Sequence, residues 1–117
     1  MRRLEDYKVW QQSISLGLKV YEVTKAFPKE ELYGLVSQMR RCAVSISSNI
    51  AEGAGRNTDK EFTQFLGYAS GSAYELQTQL IYAKELGFVN ENTSELLLKE
   101  VVIIQKMTYR LIESIKK

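Results

Sequence analysis

The sequence predicts an all-α fold: an antiparallel, up-down-up-down four-helix bundle made by a single domain over residues 1–117. Three observations predict it. Leu32, Val36, Met39, Ala43, Ile46 and Ile50 recur at steps of four and three, as do Phe62, Leu66, Ala69, Ala73, Leu76, Leu80 and Ala83, and each series is the seam of an amphipathic helix. The loop between these two helices is short, which implies an antiparallel hairpin. At 117 residues the chain is one domain by length and buries roughly two-thirds of its unfolded surface, with no room for a second.

The first helix is expected from about Tyr7 to Phe27, capped by Asp6 and stopped by Pro28. Its apolar residues form two stripes, Tyr7, Trp10, Ile14 and Tyr21 on one and Val9, Leu16, Val20, Val23 and Phe27 on the other. That arc is wider than one intrachain groove needs. Lys29 to Gly34 should form a turn of helix and a kink, since Glu30 and Glu31 suit a first turn and Gly34 weakens helix. The second helix then runs to about Ala51 or Gly53, with Gly53-Ala54-Gly55 expected to supply left-handed conformers for its cap.

Thr58-Asp59-Lys60-Glu61 reads as a capping box opening the third helix, which Gly87 ends. Within it Gly67, Ser70, Gly71 and Ser72 are poor helix formers that let another backbone approach. Close packing of the second and third helices is expected across Ala43, Ser47, Ser70 and Ala73. Asn90 to Thr93 offers caps for a fourth helix from about Thr93 to Ile115, and Asn92 and Glu95 stand in capping-box spacing. Leu96, Leu97, Leu98, Val101, Val102, Ile103, Ile104, Met107, Leu111, Ile112 and Ile115 cover well over half of that helix's circumference. Two helices with excess apolar surface, the first and the fourth, argue for a homo-oligomer that uses both, although a hetero-partner satisfies the same physics.

One stretch holds the densest pattern. Beside the apolar seam of the second helix, Gln38, Arg41, Ser45, Ser48, Asn49 and Glu52 repeat as a polar stripe, which a neighbouring helix must answer if it is buried. Ser45, Asn49, Glu52, Ser72 and Glu75 are expected to form a hydrogen-bond network that fixes register and caps the second helix, with Gln79 beside it.

The chemistry is bounded mostly by exclusion. With no histidine, the chain cannot build a Ser-His-Asp or Cys-His nucleophile pair, a His-bearing zinc site or Glu-x-x-His ligands. Glu52 and Glu75 are the acids nearest the polar stripe, but a carboxylate beside Arg41 and a glycine-capped helix end is first a structural pair. Gly53-x-Gly55 before Arg56 ends a helix instead of following a strand, so it reads as a cap and not a phosphate loop. Cys42, the single cysteine, reads as a small buried thiol, and this usage fits a reducing cytoplasm. No signal peptide and no membrane-spanning run is expected. No catalytic residue, cofactor or metal is assigned.

A net charge of +2 says little about partners, but placement says more. The predicted topology brings both termini and the loop between the second and third helices to one end, with eight cations against six acids. Arg2, Arg3, Arg56, Lys60 and Arg110 are the candidate phosphate contacts there, and a cyclic oligomer would repeat the patch on one face. An ordinary solvated surface is the competing reading.

By Gln38-x-x-Arg41-x-x-x-Ser45-Ile46-x-Ser48-Asn49-Ile50-Ala51-Glu52-Gly53, then Phe62-x-x-Phe65-Leu66 and Ala69-x-Gly71-Ser72-x-x-Glu75-Leu76, the chain closely resembles the four-helix bundle proteins encoded in intervening sequences of bacterial 23S ribosomal RNA genes. Tyr7-x-x-Trp10 and Phe27-Pro28 fit as well, so the resemblance covers nearly the whole chain. It implies a ring-like homopentamer, an RNA connection, and kinship with the accessory proteins of diversity-generating retroelements, which bind reverse transcriptase and nucleic acid. It implies no catalytic residue. The expected function is a non-enzymatic, oligomeric, RNA- or ribosome-associated protein; the alternative is an adaptor for a protein partner such as a reverse transcriptase, without direct RNA contact.

Overall fold

Each helix starts and stops for a local reason, and these reasons set the lengths that must pack. The computed structural model describes every residue from Met1 to Lys117. It contains four long helices and no strand: α1 (Lys8–Thr24), α2 (Ser37–Ala54), α3 (Asp59–Glu85) and α4 (Glu91–Lys116). Helix α3, with 27 residues, is about 40 Å long at 1.5 Å per residue, close to the 44 Å long axis of the molecule.

Asp6 does not cap α1. It lies inside a short 3-10 turn, Leu4–Asp6, and Tyr7 takes the cap position without a side-chain bond. The helix ends at Thr24, before Phe27, because the chain tightens into successive turns ahead of Pro28. The expected helical turn and kink come next, as a 3-10 turn (Lys29–Glu31) and a π-turn (Leu32–Val36) in which Gly34 leaves helical geometry, at φ −115° and ψ −110°. The Glu31 carboxylate accepts the Leu35 N–H at 3.2 Å and so caps the π-turn.

The left-handed cap expected at Gly53-Ala54-Gly55 is absent: Gly55 closes α2 at φ −82°. The only glycine with positive φ is Gly87, at 78°, just past the end of α3, the helix it was expected to end. There the Gly87 N–H reaches the Lys84 carbonyl and the Phe88 N–H the Ala83 carbonyl, the paired bonds of a Schellman turn. At the start of α3 the Thr58 hydroxyl oxygen accepts the Glu61 N–H at 3.1 Å, half of the expected box. In the other half the Glu61 carboxylate accepts from the Thr58 hydroxyl, at 3.0 Å, instead of the backbone. Helix α4 begins at Glu91, earlier than expected, because Asn90 Oδ1 accepts the Thr93 N–H at 2.8 Å; Asn92 and Glu95 form no box and line a surface hollow.

Cross-helix contacts fix the direction. Cys42 meets Gln79, Ser45 meets Ser72 and Gly53 meets Phe65, so one index falls as the other rises and α2 and α3 are antiparallel. Tyr7 packs edge-on against Phe62 at one end, and Phe27 against Phe88 at the other, which makes α1 run with α3. Helix α4 then returns along α3, where Gln105 donates to Gln77 at 2.8 Å. The whole α3 seam from Phe62 to Ala83 is buried, and so is the α2 seam except for Leu32, which the π-turn leaves about half exposed. The opposing α1 and α4 positions, Val9, Leu16, Val20, Leu97, Val101 and Ile104, complete the core.

Candidate functional site

Two parts of the surface carry the residues the sequence singles out. The first is the polar motif on α2 and α3, and the structure divides it. Ser45 and Ser72 share a 2.8 Å hydrogen bond across the two helices. The Asn49 amide donates to the Ser45 carbonyl and hydroxyl, both at 2.9 Å, so it supports the bridge from one turn away. Below them Gln79 donates to the Cys42 sulfur at 3.3 Å. Burial raises the Cys42 pKa, with Glu75 adding to the effect and the Gln79 bond and Arg41 opposing it. The thiol is therefore a packed group whose surroundings disfavour the thiolate.

The other motif residues stand outside this network. Glu52 and Glu75 are exposed, and neither bonds to Ser45, Asn49 or Ser72. Glu52 instead pairs with Arg56 at 3.5 Å, and Glu75 borders a hollow of about 390 Å³ with Leu35, Gln38, Thr78, Gln79 and Tyr82. Gln38, Arg41 and Ser48 lie toward the open side too, and Arg41 makes no ion pair. The reason is helical phase. Ser45 and Asn49 lie on the side of α2 that meets α3, whereas Arg41, Ser48 and Glu52 lie a further part-turn around, toward solvent.

Gly53 has a role that the sequence pattern does not reveal. A Cβ there would lie 2.7 Å from Phe65 Cβ and 3.0 Å from the Phe62 ring, so glycine lets the end of α2 touch the start of α3. The spaced pair Phe62 and Phe65 was the available signal. Gly67 and Gly71, expected to allow a close approach, meet nothing within 4 Å and face outward on α3. They share that outer face with the exposed side chains of Tyr68, Tyr74, Ile81 and Tyr82.

The second part is the end that carries both termini. Arg2 donates to the Arg56 carbonyl at 2.7 Å and the Ala54 carbonyl at 3.3 Å, pairs with Asp59 at 2.8 Å, and lies 4.7 Å over the Phe62 ring. It is a clamp, with a side chain only 20% exposed. Arg3 is exposed beside Glu5, and Arg56 lies over the Phe65 ring while pairing with Glu52. Lys60 and Arg110 are exposed and make no ion pair. A hollow of about 760 Å³ opens here, lined by Met1, Arg2, Ala54, Gly55, Arg56 and Asn57. No group of His, Cys, Asp and Glu side chains is arranged to hold a metal ion. No helix is long and apolar enough to cross a membrane.

Comparison with known proteins is specific about kinship. The model of the family described as 23S rRNA-intervening sequence protein matches residues 5–110. Among solved structures, the chain is similar to a protein with unknown function from the S23 ribosomal protein family of Bacteroides thetaiotaomicron, with a TM-score of 0.85 at 20% identity, covering 92% of this chain and 97% of that one. At that identity the likeness speaks for the fold alone. No curated protein matches the chain.

Proposed function

Because the chain belongs to the 23S rRNA-intervening sequence protein family, we propose that it is a non-enzymatic, cytoplasmic homo-oligomer that associates with RNA or the ribosome through the basic end of its bundle. What supports this reading most is that Arg3, Arg56, Lys60 and Arg110, from the N-terminal segment, the α2–α3 loop, the start of α3 and the last turns of α4, fall toward the same end of the bundle. Arg2 contributes by bolting the N-terminal segment to that loop, which keeps Arg3 and Arg56 at the same end. A cyclic assembly, a pentamer by the resemblance, would present every basic end on one face and multiply a patch that is weak in one copy. Exposed Ile14 and Leu18 on α1 and Leu96 and Ile103 on α4 are surface that a neighbouring copy would cover.

The outer face of α3 favours a second reading. Tyr68, Tyr74, Ile81 and Tyr82 form an aromatic surface of the kind enriched at protein interfaces, which suits an adaptor that docks a protein partner, for example a reverse transcriptase.

Salt separates the two. RNA binding that neutralises several phosphates must weaken steeply as salt rises, whereas an apolar docking surface need not respond. The expected result is weak, sequence-tolerant binding to structured RNA that charge reversal at Arg3, Arg56, Lys60 and Arg110 abolishes, together with an oligomer by size-exclusion chromatography and light scattering. Salt-insensitive binding would favour the adaptor, and a monodisperse monomer at micromolar concentration would remove the oligomer.

A further inference from the structure

A third surface lies at the opposite end from the termini, where acids are frequent along the chain. Two adjoining hollows of about 400 and 350 Å³ open between the end of α1 and the start of α2, sharing Leu32, Val36 and Arg40 in their linings. Lys25, Lys29 and Arg41 also line them, and no carboxylate does. Of the nearby acids, Glu22 is engaged by Lys25 at 3.2 Å and Glu31 by the Leu35 amide, which leaves Glu30 on the exposed side of the turn. Since Lys25 is itself taken up by Glu22, the cations left in the concave lining are Lys29, Arg40 and Arg41.

Arg40 is held rigidly. Its Nε donates to Thr24 Oγ1 at 2.9 Å, Nη2 to the Tyr21 carbonyl at 3.3 Å, and the guanidinium lies 4.7 Å over the Tyr21 ring. The hydroxyl it uses is itself fixed, since Thr24 is buried and donates to the Val20 carbonyl at 2.8 Å. Beside it the π-turn throws Tyr33 outward, 92% exposed at the rim of the same hollow. Cations lining a hollow beside an open aromatic face match a single strand, whose phosphates need charge and whose unpaired bases need a ring to stack on. A duplex offers no free base face, and an acidic peptide brings charge without a base to stack on Tyr33.

We infer that the hollow between the end of α1 and the start of α2 binds single-stranded RNA, stacking an unpaired base on Tyr33 while Lys29 and Arg41 hold its phosphates. This rests on the RNA-associated reading above and adds to it a separate contact, for unpaired strands, at the other end of the bundle. Arg40, already bonded to Thr24 and Tyr21, is left intact in the test.

The experiment titrates labelled oligouridylate into the purified full chain, into Tyr33→Ala and into the double variant Lys29→Gln with Arg41→Gln, over a range of salt. All three side chains lie outside the core, and thermal melts check that the variants stay folded. Tyr33→Ala should weaken binding roughly tenfold. The double variant should lower the log–log salt slope by about 1.4, or 0.7 for each phosphate no longer neutralised. Duplex RNA of the same length should be insensitive to Tyr33→Ala. If wild type binds oligouridylate and both variants bind it equally well, this site is wrong while the basic-end reading stands. No RNA binding by wild type overturns both. Polyglutamate that competes as well against wild type as against Tyr33→Ala would show a surface that reads charge alone, and would also overturn the inference.

Discussion

The α2–α3 seam and the much less extensive α1–α4 contact are both antiparallel helix pairs, yet they are held differently. In the first, Ser45 bonds to Ser72, Gln79 bonds to Cys42, and a glycine meets two phenylalanines where no other side chain fits. In the second, interchangeable aliphatic residues such as Leu16, Val20, Val101 and Ile104 fill the space, with one surface ion pair, Lys19 to Glu100 at 2.9 Å. Apolar packing alone tolerates a shifted register at modest cost, whereas a bridge between two named hydroxyls does not. The lesson is that α2–α3 sets the register of this bundle and α1–α4 conforms to it.

The largest test of that contrast is to substitute the same residue type on each side. Gly53→Ala should destabilise by about 1–3 kcal/mol in chemical denaturation, because its Cβ would press on Phe65 and Phe62. Next in size, Asn49→Ala should cost about 1 kcal/mol through loss of its bonds to Ser45. An unchanged midpoint there would mean that the Ser45–Ser72 bridge needs no support. Gly17→Ala on α1 should go the other way and stabilise by about 0.5–1 kcal/mol, since a Cβ there meets nothing within 4 Å and alanine suits a helix better. Destabilisation by Gly17→Ala would show that α1 is more tightly specified than the contrast allows. Smallest of all, Lys19→Gln should change stability by less than about 0.5 kcal/mol, because its side chain is 53% exposed and solvent screens the pair.

Legibility in the sequence tracks the range of the interaction. The α3 seam could be read completely because seven apolar positions at steps of four and three leave only one buried face. Thr58 and Gly87 were legible because their partners lie within a few residues. Gly53 was not: a glycine near a helix end reads as a cap, and only Phe62 and Phe65, brought in from α3, show that it serves packing. Glu52 and Glu75 failed for a related reason, since a polar stripe two residues wide spans both the buried edge and the open face of its helix. The cationic hollow at the far end was the least legible. It depends on where Glu22 and Glu31 turn their carboxylates, and on Arg40 crossing from α2 to α1.

The Arg2 clamp links parts of the chain more than fifty residues apart, and that has a consequence for how the molecule opens. The last carbonyls of a helix ordinarily fray first, because nothing within the helix holds them. Here the Ala54 carbonyl, the last of α2, and the Arg56 carbonyl just beyond it are gripped by a guanidinium that also reaches Asp59 at the start of α3. Loosening the end of α2 must therefore release the N-terminal segment as well, and the two should behave as one cooperative unit. In native-state hydrogen exchange, the amides of Gly55 and Arg56 should exchange together with those of Asp6 and Tyr7, and Arg2→Ala should uncouple the pair.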